Sequence, residues 1–351
     1  MKKQYSLGVI SQSRAVSEMR SPIWHRHLPV HTPNNPLIKE YIFEKNFGSH
    51  TFQESADDYL VSLGYKTAHR SELLASSDIV ISLKPIDEWE YMRPQSILIG
   101  WFNHLKSPPQ PSRYIHFIDL EDIKIFADGR EQKLLYKNAY VAGECGVAQT
   151  IQHLRGIDSS SPAVTEGKLA VVIGYGNLGR GATRELINQG IEKIVVFTQR
   201  QSTALKGKLA GVEYRQMEYA DGNTYEVNSD GSKEPLVSSI LAQADIVVNA
   251  KIPSKTHPKW TFIPDNEFHK LKLNMVFIDP VHRNGHGADF VQVTSLEQPL
   301  KKICRSGHSI WFNGCNAMPS YNADYASSVI SEALLSNLDT LIDVIKDRVA
   351  F

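Results

Sequence analysis

One stretch, Lys168-Leu-Ala-Val-Val-Ile-Gly174-Tyr-Gly176-Asn177-Leu178-Gly179-Arg-Gly-Ala, restricts this chain more than any other, because a GxGxxG run sits directly after an apolar strand and directly before a helical pattern. In that setting each glycine has its own task. Gly174 permits the tight turn, Gly176 lets the backbone approach a pyrophosphate, and Gly179 lets the helix pack closely. Asn177 and Leu178 open a helix whose free N–H groups face the anion. The context predicts a βαβ unit of a doubly wound sheet that binds a dinucleotide. The competing reading is a glycine-rich turn that binds nothing.

The second strand of such a unit usually ends on an acid that accepts the ribose 2′-hydroxyl of NAD. Here the corresponding stretch is Val195-Val-Phe-Thr198-Gln199-Arg200-Gln-Ser202, with no carboxylate. A hydroxyl and a guanidinium stand where a 2′-phosphate would sit, and Arg suits phosphate by geometry and by charge. Thr198, Gln199, Arg200 and Ser202 therefore point to NADP. If Arg200 is instead a solvated loop residue, either cofactor is accepted and NAD stays open.

At 351 residues the chain suits two domains, each able to bury a core, with a deep cleft between them. Apolar runs at Tyr5 to Ile10, Asp78 to Leu83, Ser96 to Trp101 and Tyr114 to Ile118 read as strands, with helical stretches at Ala56 to Leu63 and Ser71 to Ser76. Val147, Ile151 and Leu154 recur at helical spacing, and Arg155 to Gly167 is rich in Ser, Pro and Gly, so the domain boundary falls around residues 140 to 167. A second α/β series follows: strand Lys168 to Ile173, helix Leu178 to Gln189, and strands Lys193 to Thr198, Asp245 to Ala250 and Met275 to Asp279. Asp221 to Pro235 reads as an exposed hairpin or loop. After Pro319, residues from Ala326 to Ile345 form one apolar helical stripe.

Lys plus Arg equals Asp plus Glu at 38 each, with no basic stretch interleaved with aromatics, which argues against nucleic acid as a partner. Gln4, Ser6 and Ser11 to Ser13 deny the start the apolar segment of a signal peptide, and no apolar run approaches a membrane span, so a cytoplasmic protein without membrane contact is expected. Cys145, Cys304 and Cys315 are odd in number and scattered, as in a reducing compartment. His25, His27, His31, His282 and His286 lack the spacing of a zinc site, so no metal is expected.

Several short motifs occur in a fixed order: Glu18-Met-Arg20 after the first strand, Asp78-Ile-Val-Ile-Ser-Leu-Lys84-Pro85, Trp101-Phe-Asn-His104, Asp119-Leu-Glu121, the dinucleotide unit, and Met318-Pro-Ser320. In this order the chain resembles the alanine dehydrogenase, saccharopine dehydrogenase and N5-(carboxyethyl)ornithine synthase group over nearly its whole length. The resemblance implies an α/β fold of two Rossmann-like domains with a deep interdomain cleft, the second a doubly wound dinucleotide-binding domain at 141–311. It also implies a discontinuous substrate domain from 1–140 plus 312–351, to which the last helix returns. A homo-oligomer is expected.

By matching position, Arg20 resembles the arginine that holds a substrate carboxylate, Lys84 the lysine near the reacting carbonyl or imine, and His104 the histidine that completes proton transfer. Glu121 matches an acid that tunes them in the saccharopine enzymes. Taken alone, Lys84-Pro85 is an exposed strand end, His104 a core histidine and Asp119 to Asp122 a solvated turn. Two positions depart from the group. Alanine dehydrogenases carry an aspartate where Arg283 stands, and saccharopine dehydrogenases an aspartate where Asn316 stands. Arg283 would supply a second carboxylate holder, with binding to the cofactor or exposure to solvent as the alternatives. The leading expectation is an NADPH-dependent opine-type reductase joining an amino acid to a 2-oxo acid. The runner-up is an amino-acid dehydrogenase releasing ammonia. A catalytically dead nucleotide-binding regulator is the third reading.

Overall fold

The computed structural model describes residues 4–28, 37–103, 105, 107, 109, 114–157, 168–220, 223–252, 260–281 and 286–348. The chain forms two units, one from Met1–Asn138 with Asn322–Phe351 and one from Ala139–Tyr321.

The first unit is built on strands β1 (Tyr5–Val9), β2 (Ile38–Glu44), β3 (Lys66–Ala68), β4 (Ile79–Ile81), β5 (Ser96–Gly100) and β6 (Ile115–Asp119). They pair in parallel in the order β3-β2-β1-β4-β5-β6. Strands covered on both faces read as continuous apolar runs, which is why Ile79-Val-Ile81 and Ser96 to Gly100 are buried throughout. Successive side chains alternate between the faces. Ile79, Ile81, Ile97 and Ile99 enter one core with Leu334, Leu338 and Leu341. Val80 and Leu98 enter another with Leu73 and Leu74. The helices concerned are α1 (Asp57–Ser62), α2 (Arg70–Ser76) and two described at the end of the chain. A hairpin of β7 (Lys124–Ala127) and β8 (Arg130–Lys133) follows the sheet.

Helix α3 (Tyr136–Ile157) carries the chain onward. The second unit holds β9 (Leu169–Ile173), α4 (Asn177–Asn188), β10 (Lys193–Thr198), β11 (Val212–Ala220), β12 (Asn223–Val227), β13 (Lys233–Pro235), β14 (Ile246–Asn249), β15 (Thr261–Ile263), β16 (Val276–Ile278), β17 (Gly287–Ala288), β18 (Lys301–Arg305) and β19 (His308–Asn313). Its main sheet runs β13-β12-β11-β10-β9-β14-β16-β19-β18. The six strands from β11 to β19 in that order are parallel, while β12, β13 and β18 add antiparallel edges. Each unit thus contains the 3-2-1-4-5-6 order of a doubly wound sheet.

Two expectations change in detail. The segment expected as an exposed hairpin or loop does turn back on itself, but β12 pairs with β11 and widens the sheet. Thr224 and Glu226 are buried there, and Thr224 Oγ1 accepts from the indole Nε1 of Trp260 at 2.6 Å. The single stripe after Pro319 is two helices, α5 (Ala323–Ser336) and α6 (Leu338–Arg348). Asn337 leaves helical geometry at φ −121° and ψ 26°, and its side-chain amide donates to Ala333 O at 2.8 Å, so a local side-chain bond replaces the helical ladder. No helix among the described residues is long and apolar enough to cross a membrane.

Candidate active site

In the first unit the sheet order reverses between β1 and β4. Ligands of doubly wound sheets bind beyond the carboxyl ends of the strands at such a point. The segment leaving β1 carries Glu18 and Arg20, and the one leaving β4 carries Lys84. Glu18 and Arg20 are only 2% and 3% exposed. Arg20 Nε donates to Glu18 Oε1 at 2.6 Å and Nη2 to Oε2 at 2.5 Å. Arg20 Nη1 donates to Asn138 Oδ1 at 2.9 Å, and Lys84 Nζ lies 2.9 Å from Glu18 Oε2. One carboxylate therefore serves two cations, leaving the cluster with one net positive charge. Glu18 occupies the Nε side of the guanidinium, so the Nη end retains donors for a second carboxylate.

Burial alone would push the Glu18 carboxyl up, but the charges of Arg20 and Lys84, with the hydrogen bonds from both, hold it well below the usual carboxylate range. The Trp101 ring faces the Arg20 guanidinium, 5.1 Å from its carbon to the ring centroid. Ser13 Oγ donates to the Lys84 carbonyl at 2.5 Å, fixing the turn after β4 against the turn after β1. Ser21 N donates to Ser327 Oγ at 2.9 Å, tying the Arg20 segment to α5.

The expected site residues fall into three groups. Arg20 and Lys84 are brought together through Glu18. Glu121 forms an ion pair with Lys133 on β8, its side chain 39% exposed, and not with Lys84. Asn316 is exposed in the segment after β19. His104, Arg283, His282 and His31 lie outside the described residues. Sequence reasoning missed Glu18 as a site residue in its own right and missed Asn138. An acid two residues before an arginine was the available signal, since neighbours at that spacing on an extended chain face the same way.

In the second unit the order reverses between β9 and β14, and the GxGxxG turn leaves β9 there. Gly174 has φ +104°, a conformation that side chains rarely adopt. A Cβ on Gly179 would lie 2.0 Å from Gly174 O, whereas one on Gly176 would meet nothing within 4 Å. The space above Gly176 is the cradle a pyrophosphate requires, and no side chain caps the first turn of α4, which includes Asn177 and Leu178. The residues present therefore fit a dinucleotide.

The end of β10 bears the residues expected to choose the cofactor. Thr198 is buried and its Oγ1 accepts from Arg200 N at 3.3 Å. Arg200 Nη2 donates to the Tyr175 carbonyl at 2.6 Å, which brings the guanidinium onto the glycine turn itself. Gln199 Oε1 accepts from Lys251 Nζ at 2.6 Å, and burial lowers the pKa of that lysine. Ser202 starts the short turn Ser202–Ala204. Tyr175 is buried in the middle of the motif, and burial raises its pKa.

Asp279, at the end of β16, is fully buried, with Oδ1 accepting from Asn249 Nδ2 at 3.0 Å. His286 Nδ1 accepts from Trp260 N at 3.2 Å and Nε2 lies 2.5 Å from Lys251 O, so both ring nitrogens are engaged with backbone. No group of three or more metal-ligating side chains is found among the described residues.

No family model matches the chain. It is 28% identical over 160 residues to N(5)-(carboxyethyl)ornithine synthase of Lactococcus lactis subsp. lactis strain IL1403, an alignment covering 41% of this chain and 49% of the relative. A second N(5)-(carboxyethyl)ornithine synthase of Lactococcus lactis subsp. lactis is 29% identical over 160 residues, covering 41% of this chain and 48% of the relative. The chain spans about half the length of the curated relatives it matches. Among solved structures, an L-alanine dehydrogenase superposes with a TM-score of 0.71 at 16% identity, over 97% of this chain and 91% of the other. A transhydrogenase from Sinorhizobium meliloti superposes with a TM-score of 0.69 at 14% identity, over 97% and 95%. Over 160 residues the chain is similar in sequence to N(5)-(carboxyethyl)ornithine synthase, and its two Rossmann-like domains have the fold of alanine dehydrogenase.

Proposed function

We propose that this protein is a nicotinamide-dependent oxidoreductase of opine type, which joins the amino group of an amino acid to a 2-oxo acid and reduces the resulting imine, with NADPH as the preferred cofactor. The observation that carries this reading is the cluster at the sheet reversal of the first unit in which buried Glu18 and Arg20 meet half-buried Lys84. Its surplus positive charge suits a carboxylate, and the Nη end of Arg20 offers the planar fork that a 2-oxo acid needs. Condensation requires a proton delivered to the carbinolamine hydroxyl so that water leaves, and Lys84 carries one at its Nζ. His104 would return protons as the second acid/base group, and Arg283 would hold the carboxylate of the amino acid. The bound nicotinamide supplies the hydride that reduces the imine carbon. Thr198, Gln199, Arg200 and Ser202 favour a 2′-phosphate, because no acid stands among them to accept a ribose hydroxyl.

The test is NADPH oxidation over a grid of 2-oxo acids against amino donors that includes ammonia. Pyruvate or 2-oxoglutarate with an amino acid such as ornithine or lysine is expected to give a secondary amine of the matching mass. Efficient turnover of pyruvate with ammonia, and none with amino acids, would make the protein an amino-acid dehydrogenase instead.

A further inference from the structure

Arg180 follows the last glycine of the GxGxxG run and projects from the first turn of α4 over the ring of Tyr175, with 5.2 Å between guanidinium carbon and ring centroid. Its Nη2 donates to Lys206 O at 2.6 Å. Among the described residues no carboxylate accepts from it, so its charge rests on a neutral carbonyl. The loop it touches, residues 199–211, contains Arg200, Lys206 and Lys208 and no acid. Arg180 thus brings to the glycine turn a positive charge that a bound anion would neutralise.

The same loop is fastened to the glycine turn. Tyr175 Oη donates to Gly207 O at 2.7 Å and Tyr214 Oη donates to Tyr175 Oη at 2.9 Å. Arg200 Nη2 also donates to the Tyr175 carbonyl at 2.6 Å. Two guanidiniums therefore meet one residue of the phosphate-binding turn, one at its ring and one at its backbone. A carbonyl oxygen is a weaker acceptor for a guanidinium than a phosphate oxygen, so Arg180 can exchange Lys206 O for an anion with a gain.

We propose that Arg180 is the second guanidinium of the adenosine 2′-phosphate site, gripping that phosphate from α4 while Arg200 grips it from the exit of β10. This rests on the reading of the cofactor as NADPH. It makes the choice of cofactor a property of two elements instead of the β10 loop alone.

The test uses calorimetric binding of adenosine 2′,5′-bisphosphate and adenosine 5′-monophosphate, which differ only in the 2′-phosphate, to the full chain and to Arg180→Gln and Arg180→Lys. The kcat/KM ratio for NADPH over NADH is measured alongside. Arg180→Gln is expected to weaken the bisphosphate about tenfold to a hundredfold more than the monophosphate, and to lower the NADPH/NADH ratio in step. Arg180→Lys, which keeps the charge but not the fork, should fall between. Equal weakening of both ligands would overturn the proposal and leave Arg180 as a loop fastener, as would no change in either. An unmodified protein that binds the bisphosphate no tighter than the monophosphate, and uses NADH as well as NADPH, would remove the NADPH reading itself before any variant is compared.

Discussion

A carboxylate shut away from water stays ionised only where cations touch it, and Glu18 has two within 2.9 Å. Removing it strands a buried guanidinium and a half-buried ammonium. Glu18→Gln is expected to destabilise the first unit by about 3–5 kcal/mol, measured by urea unfolding at pH 7. The pH dependence should change as well. Because the folded pKa lies below the ordinary value of 4.5, the stability that Glu18 contributes is present above that value and is lost as pH falls below it. The unmodified protein should lose stability faster than Glu18→Gln between about pH 5 and 3; parallel slopes would show that Glu18 is not ionised in the fold. Lys84→Met tests the chemistry at the other end of the same contact. It should cut turnover by about two to four orders of magnitude while dinucleotide binding, followed by fluorescence, persists. Near-normal turnover would remove Lys84 from proton transfer.

Strands, turns and helices were legible in the sequence to the extent that their own residues specify them. The strand before the glycine turn and the strand Lys193–Thr198 follow from unbroken apolar runs, and the GxGxxG spacing fixes the turn between β9 and α4. Edge strands escaped because they answer to a neighbour and not to a core. Lys301-Lys-Ile-Cys-Arg305 is half-polar and becomes β18 by pairing with β19. Glu18 was visible as a letter in a motif, but its grip on Lys84 depends on β1 and β4 lying side by side, a contact spanning more than sixty residues. The glycine turn permits a test in which local geometry predicts opposite outcomes for like substitutions. Gly179→Ala places a Cβ 2.0 Å from Gly174 O and should destabilise the second unit by about 1–3 kcal/mol, or more. Gly176→Ala places one in open space, so melting should shift by no more than about 0.5 kcal/mol, while dinucleotide affinity drops about tenfold or more. Identical effects of the two would refute the assignment of the cradle.

At the scale of the molecule, the first unit is completed by residues that follow the second in sequence. Ile330, Leu334, Leu335, Leu338, Leu341, Ile342 and Ile345 belong to the same core as Leu7, Val9 and Ile81. Removing residues 322–351 withdraws seven large apolar side chains, on the order of 10–20 kcal/mol at about 1.5–3 kcal/mol each. A domain is held by only about 5–15 kcal/mol, so the truncated chain should lose the protease resistance of residues 4–138. The core that contains Val171, Phe197, Phe277 and Phe312 has no member after residue 321, so the second unit should keep its own heat-absorption peak. Survival of both would show that α5 and α6 are dispensable. The same discontinuity also orders events at the ribosome. Translation at roughly 5–20 residues per second puts about ten to forty seconds between residue 138 and residue 345. Throughout that interval Leu7, Val9 and Ile81 stand on a sheet face that still lacks α5 and α6, while the core of the second unit is complete once Phe312 has been made. The domain begun first is therefore finished last, and a nascent chain bears a partly covered apolar sheet for which a holding chaperone would be the natural companion.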